Sequence, residues 1–268
     1  MPSASRCPTN LLLRAAGPEL CRRAADEFLR PLADGAVAVL LAPICGACRR
    51  PLDHPTRGAV CPPCWAAIVP ITPPCCRTCG DPLPTWRVLS VAEAMCPRCR
   101  RRTPLVSLAR AIGPYEGTLR AIVHALKYDG RPTIARHLAA RMRAAGAEAL
   151  DGADLVVAVP LHRSRERSRG FNQARELGRH LGLPIADALA RTRRTASQAD
   201  LPAARRHANV RGAFAWRRQV AVKGRTIVLV DDVSTTGATL NACARVLLDA
   251  GAADVRALTA ARAVARLP

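Results

Sequence analysis

The sequence has almost no lysine and very few aromatic residues. Only Lys127 and Lys223 carry ammonium groups, against 41 Lys and Arg together, and Phe, Trp and Tyr make up 3% of 268 residues. So few rings argue against an aromatic platform on which successive bases stack. Long apolar runs are missing too. The longest, Ala36 to Ile44, falls far short of the roughly 20 residues that cross a bilayer, so no membrane span is expected. The N-terminus shows no charged region followed by an apolar stretch and a cleavage site, as a secretory leader would. Twelve cysteines are therefore expected in a reducing cytoplasm, as metal-bound thiolates rather than as disulfides.

What is present fits a globular protein. Hydrophobic residues make up 49% of the chain, and the length allows one large or two smaller domains with ample core. The formal net charge of +21 is almost entirely arginine. The Arg and Ala excess also fits genome base-composition bias. Two four-thiolate zinc sites would lower the charge by about 2 each, to roughly +17. The remaining field favours nucleic acid or phosphorylated ligands as partners.

Cysteine is concentrated in four Cys-x-x-Cys pairs: Cys45 with Cys48, Cys61 with Cys64, Cys76 with Cys79, and Cys96 with Cys99. Twelve residues separate the first two pairs and sixteen the last two. One such turn points two thiolates at one ion, and two turns complete a tetrahedron, the closed geometry of structural zinc. Cys61-Pro-Pro-Cys64 alone would suit redox chemistry, but no thioredoxin-like pattern precedes the four pairs. About two zinc ions are expected, joined either by sequential or by interleaved pairs. Cys76 keeps the common spacing, with adjacent Cys75 as the alternative ligand. Cys7 and Cys21 belong to no motif, and His54 reads as a solvated loop residue. Arg98 to Arg102 and Thr103-Pro104 read as a linker.

From Leu105 onward, strand-like and helix-like pieces alternate, as in α/β architecture. Leu119, Ile122, Val123 and Leu126 form one helical face, closed by Lys127-Tyr-Asp-Gly130; Ile134, Leu138 and Met142 form another. Leu155 to Val159 is a buried-strand candidate that ends in Pro160-Leu161-His162-Arg163. Arg165, Arg167 and Arg169 follow. At a strand's carboxyl end these guanidinium groups and loop amides suit a pyrophosphate. Residues 191 to 213 show little periodicity, and Val255 to Ala260 reads as the last strand.

The most informative stretch runs from Thr226 to Thr239. Ile227 to Val230 is short and β-branched, which predicts a strand buried on both faces of a parallel sheet. Leu240, Cys243, Ala244, Leu247 and Leu248 then predict a helix from near Gly237 to just before Gly251. Between them lie Asp231 and Asp232 and a loop expected over Val233, Ser234, Thr235, Thr236, Gly237, Ala238 and Thr239. Such a loop delivers amides, hydroxyls and a helix N-terminus to an anion. The two acids suit either the vicinal hydroxyls of a ribose or a Mg²⁺ ion.

This stretch resembles the phosphoribosyl-pyrophosphate (PRPP) loop of type I phosphoribosyltransferases. Together with the four Cys pairs, Lys127-Tyr-Asp-Gly130, Val159-Pro-Leu-His162, Arg169-Gly-Phe-Asn-Gln173 and Arg205-Arg-His-Ala-Asn209, it is similar to the ComF family of competence-associated proteins. The resemblance also raises Gln198, Arg205, Arg206 and Asn209 above ordinary surface residues. It implies a Rossmann-like, doubly wound, mostly parallel sheet of the type I phosphoribosyltransferase fold, behind an N-terminal double zinc ribbon. The expected division is an extension over 1–36, the ribbon over 37–104 and the phosphoribosyltransferase-type domain over 105–268. By the same resemblance, Asp231 and Asp232 contact ribose hydroxyls and are the candidate catalytic groups, with Mg²⁺ carried on PRPP. Residues 234–239 take the 5′-phosphate, and Pro160 to Arg163 with Arg169 face the pyrophosphate. The implied partners are PRPP or a nucleotide, single-stranded DNA and a DNA-uptake translocase. No general base is legible, so binding of a ribose phosphate and transfer of phosphoribosyl to an acceptor are separate expectations.

Overall fold

A computed structural model describes residues 29–84, 94–193 and 203–264. Cys7, Cys21 and Gln198 lie outside the described residues, as does the side chain of Arg205. The chain divides into two compact units, residues 1–45 with 49–61 and residues 46–48 with 62–268. In the smaller unit, helix α1 (Arg30–Leu41) buries Asp34. Its carboxylate accepts the Thr56 N–H at 2.8 Å and lies 3.2 Å from His54 Nδ1. The Thr56 bond holds Asp34 below the usual carboxylate range. His54, expected in solvent, is half exposed but carries this partner.

In the larger unit, α2 (Pro62–Ala66) and α3 (Pro97–Arg101) are single turns that open on proline, whose fixed φ suits a first helical position. Each presents a buried cysteine, Cys64 and Cys99. The α/β part follows with β1 (Ala109–Pro114), α4 (Gly117–Tyr128), α5 (Ile134–Ala145), α6 (Ala147–Leu150) and β2 (Leu155–Ala158). Next come α7 (Arg163–Arg169), α8 (Gln173–Gly178), β3 (Ile185–Ala186), β4 (Leu189–Arg191), α9 (Ala203–Val210) and β5 (Phe214–Trp216). The chain closes with β6 (Thr226–Ser234), α10 (Ala238–Asp249) and β7 (Asp254–Arg262).

Five strands form one sheet in the order β1-β7-β6-β2-β3, and every pair is parallel. The continuous apolar runs of β2 and β6 explain this arrangement, because both faces of the sheet are covered. Leu155, Val157, Ile227, Leu229, Val255 and Ala257 share one core with Leu240, Cys243, Ala244 and Leu247 of α10. Alternate residues serve the other face. A Cβ on Gly178 of α8 would sit 3.1 Å from Val156, and one on Gly146, between α5 and α6, 2.3 Å from Leu258. The sheet is thus doubly wound.

This topology creates the crevice. From β2 the chain moves through α8 to β3 on one side, and from β6 through α10 to β7 on the other. Right-handed crossovers in opposite directions diverge, which leaves a gap between the carboxyl ends of β2 and β6 where ligands of open α/β sheets bind. β2 ends opposite Val230, whereas β6 continues along β7 to the pair Ser234 and Arg262. The expected loop over 233–239 is accordingly shorter: Val233 and Ser234 are still strand, and Ala238 and Thr239 are already helix. Two further expectations change. The arginine run after β2 is a helix rather than a loop, and the stretch 191–213 contains α9 flanked by β4 and β5, which pair antiparallel.

Candidate functional site

Asp231 and Asp232 stand at the carboxyl end of β6, beyond the reach of β2. Successive strand residues face opposite ways, so the two acids meet different surroundings. Asp232 is 4% exposed, and its Oδ2 lies 3.1 Å from Nζ of Lys127, which the last turn of α4 delivers. The ammonium also sits 5.8 Å from the centroid of the Tyr115 ring. Burial opposes the charge on Lys127, but Asp232 foremost, then Tyr115 and Asp231, hold its pKa above the ordinary value. Asp231 Oδ1 accepts the Asp232 N–H at 2.8 Å. Burial first, then the neighbouring Asp232 charge, raise the Asp231 carboxyl to about 8. One cation thus faces two carboxyl groups, of which Asp231 holds a proton below about pH 8, so that a hydroxyl donor or a cation can take the proton's place there.

The loop beyond is three residues long, Thr235 to Gly237. Gly237 has φ +76°, a left-handed conformation that turns strand into helix within one residue and that a side chain would strain. As the N-cap of twelve-residue α10 it has no side chain to bond the first-turn amides, and Thr236 Oγ1 accepts the Ala238 N–H at a long 3.4 Å. The Ser234 hydroxyl is buried without a hydrogen-bond partner among the described residues. Amides, hydroxyls and a helix N-terminus therefore converge beside the two acids.

On the β2 side, Pro160, Leu161, His162 and Arg163 line a cleft of about 350 Å³ with Arg191 and Arg217. His162 caps α7: its Nδ1 accepts the Ser164 N–H at 3.3 Å. Because α7 is helical, Arg163 and Arg169 diverge instead of facing one ligand together. Arg163 joins the cleft, whereas Arg169 is 5.1 Å from the Tyr128 ring and donates to Gln173 Oε1. Asn172 fastens the segment from below. Its Nδ2 donates to the Val159 carbonyl at 3.1 Å, and its Oδ1 accepts the Ala174 N–H at 2.9 Å as the α8 cap.

The cysteines form two quartets from sequential pairs: Cys45, Cys48, Cys61 and Cys64, then Cys76, Cys79, Cys96 and Cys99. All sulfurs within a quartet lie within 4.8 Å of one another. Cys79 and Cys96 are 3.6 Å apart, near the ~3.8 Å edge of a tetrahedron with ~2.3 Å zinc–sulfur bonds. In the second quartet, hydrogen bonds from Cys79 and Cys96 favour the Cys76 thiolate, while its neighbours are pushed up: Cys96 by its bonds to Cys76 and Cys79, Cys99 by burial. A bound cation would remove that penalty on Cys96 and Cys99. Both sites are consistent with structural zinc. Cys76, not Cys75, supplies the sulfur of the second quartet.

The phosphoribosyl transferase domain family matches residues 135–267, and the double zinc ribbon domain family matches residues 36–100. DNA utilization protein YhgH of Escherichia coli K12 is 33% identical over 80% of this chain and 94% of its own length. Competence protein F of Haemophilus influenzae is 30% identical over 82% of this chain and 96% of its own. This chain belongs to the ComF family. Competence protein ComFC of Bacillus subtilis, 29% identical over 76% of this chain and 84% of its own, is a further relative of this ComF protein. Among the described residues, no helix is long and apolar enough to cross a membrane.

Sequence reasoning did not assign Lys127 to Asp232, although a lysine kept in a chain with only two was a usable signal. It also read Arg98 as part of a linker. In the ComF structure Arg98 instead bonds Asp81 at 3.0 Å.

Proposed function

We propose that this ComF protein binds PRPP or a closely related ribose phosphate in the crevice between β2 and β6. The observation that carries this reading is the placement of Asp231 and Asp232 past the end of β2, directly before the Gly237 turn and the N-terminus of α10. Adjacent carboxylates accept the 2′- and 3′-hydroxyls of a ribose, and the amides and hydroxyls from Ser234 to Thr239 receive its 5′-phosphate. Arg163 and the amides after β2 attract the pyrophosphate. Lys127 offsets part of the acidic charge and orients Asp232 through their 3.1 Å contact. Mg²⁺ carried by PRPP would neutralise its phosphates, with the two acids the available oxygen donors.

Names of relatives support a second, surface role in handling DNA. Single-stranded DNA held by arginine side chains fits a formal charge of +21, and a DNA-uptake translocase fits as the protein that delivers the strand. Binding is the reading favoured here, and transfer of phosphoribosyl to an acceptor, for which Asp231 with its raised carboxyl is the candidate base, is the alternative.

Titration calorimetry with PRPP and Mg²⁺, run beside a pyrophosphate-release assay across nucleobases, tests both. Binding that weakens in Asp231→Asn, without pyrophosphate release, is the expected outcome. Release with any acceptor makes the protein an enzyme. Absence of PRPP binding overturns the proposal.

A further inference from the structure

Arg98 lies between two ligands of the second quartet, Cys96 and Cys99, yet its guanidinium points out of the knuckle. Its Nη2 is 3.8 Å from Cys79 Sγ and 3.0 Å from Asp81 Oδ2, and its Nη1 donates to the main-chain carbonyl of Thr235 at 3.5 Å. Asp81 is held from the other side by Nε of Arg262, a 3% exposed residue that pairs with Ser234 in the sheet. The knuckle is itself seated on the sheet. The Ala109 N–H donates to the Thr78 carbonyl at 2.6 Å, and left-handed Gly80 packs so close that a Cβ there would stand 2.8 Å from the Ala109 carbonyl.

The Thr235 contact has a geometric consequence. In a planar trans peptide the carbonyl and the following N–H point in opposite directions. Drawing the Thr235 carbonyl toward Arg98 therefore turns the Thr236 N–H away from the ribbon. Arg98 in turn sits in the α3 turn between two ligands, Cys96 and Cys99, so a metal that holds both sulfurs also fixes the turn that carries the guanidinium.

We propose that Arg98 is a positioning residue that couples metal occupancy of the Cys76–Cys79–Cys96–Cys99 site to the geometry of the Thr235–Gly237 loop, so that anion affinity in the crevice depends on bound zinc. This rests on the reading of the crevice as a PRPP site. The guanidinium is the switch element, with one arrangement when metal holds the knuckle and Asp81 and the Thr235 carbonyl share it, and another when the knuckle is released.

The test uses the full-length zinc-loaded protein and its Arg98→Ala, Arg98→Lys, Asp81→Asn and Arg100→Ala variants. PRPP–Mg²⁺ affinity, zinc content and amide exchange at residues 235–237 are measured for each, with exchange repeated after chelation. Arg98→Ala should keep its zinc, bind PRPP roughly tenfold more weakly, within the range typical of coupling between sites, and exchange faster at the loop. Arg98→Lys should recover part of the affinity. Asp81→Asn, which loosens Arg98 without touching a ligand, should behave like Arg98→Ala and decides the matter if that variant folds poorly. Arg100, whose side chain bonds the nearby Met95 carbonyl, should be replaceable without effect. Chelation should speed loop exchange in the wild type and add little in Arg98→Ala. Wild-type affinity and exchange in both Arg98→Ala and Asp81→Asn overturn the proposal, as does chelation that speeds the loop equally in wild type and Arg98→Ala. If the wild type binds no PRPP, the crevice reading falls, and the exchange data still decide whether the ribbon and the loop are coupled.

Discussion

Replacing Lys127 by methionine is the sharpest perturbation of the crevice. The substitution keeps the length and apolar stem of the side chain and removes only the charge. Nζ and Asp232 Oδ2 are 3.1 Å apart, with side chains 15% and 6% exposed. At that separation two unit charges attract by about 5 kcal/mol at an effective dielectric near 20. Desolvation offsets part of this, but the wild type has already met that cost, and the variant leaves Asp232 buried without its cation. Loss of one partner of a buried pair costs about 3 to 5 kcal/mol. The lower value suits a lysine that touches solvent, so we expect about 3 kcal/mol, or roughly 6 to 12 °C in Tm. The assay is urea unfolding at neutral pH, alongside the Lys127→Met/Asp232→Asn pair. The double variant, with both charges gone, should recover at least half of the loss. A single-variant cost under about 1 kcal/mol, or a double variant no more stable than Lys127→Met, would refute a net stabilising pair.

Four further outcomes follow from the same residues. The Asp231 carboxyl is raised from an ordinary value near 3.8 to about 8, so the folded state binds the extra proton. Its contribution to stability is present at low pH and is lost as pH rises through that window. Without divalent cations, Asp231→Asn should therefore raise Tm at pH 8 more than at pH 5; an equal shift at both contradicts the assignment. Gly237→Ala places a Cβ at φ +76° and should cost about 1 to 2 kcal/mol while weakening PRPP binding, and an unchanged Tm would show that the turn relaxes freely. Purified protein should hold two zinc ions, one per quartet, and a stoichiometry near zero in folded protein removes the ribbon reading. Affinity for single-stranded DNA should fall steeply with salt if arginine–phosphate contacts carry it; binding that is flat across salt excludes them.

The legible parts of the molecule were those in which neighbours along the chain are also neighbours in space. A Cys-x-x-Cys turn carries its metal geometry in four residues, and the run from Ile227 through Gly237 to Leu247 carries strand, acids, turn and helix in a single segment. Spacing could not decide how the knuckles pair. Nor did it reveal β4 and β5, because three-residue strands are too short to show alternation and 22 residues separate Arg191 from Phe214. The arginine run after β2 misled for a related reason. Its polarity was plain, but its winding into α7 sends Arg163 and Arg169 to different neighbours.

The same contrast explains why Arg98 was taken for a linker. Its partners are Cys79, Asp81 and Thr235, and Asp81 is held in turn by Arg262, 181 positions away. No local pattern encodes such a contact, because only folding brings the carboxyl ends of β6 and β7 beside the second knuckle. Each half has a self-sufficient signature, a metal site and a phosphate loop. Beside the backbone contact at Ala109, two arginines around one aspartate join them, residues that in isolation read as solvated charge. In a chain whose basic residues are nearly all arginine, the informative ones are those that burial forces into a partnership: Arg262 at the end of β7 and, on the helix side of the same crevice, the single lysine that α4 presents to Asp232.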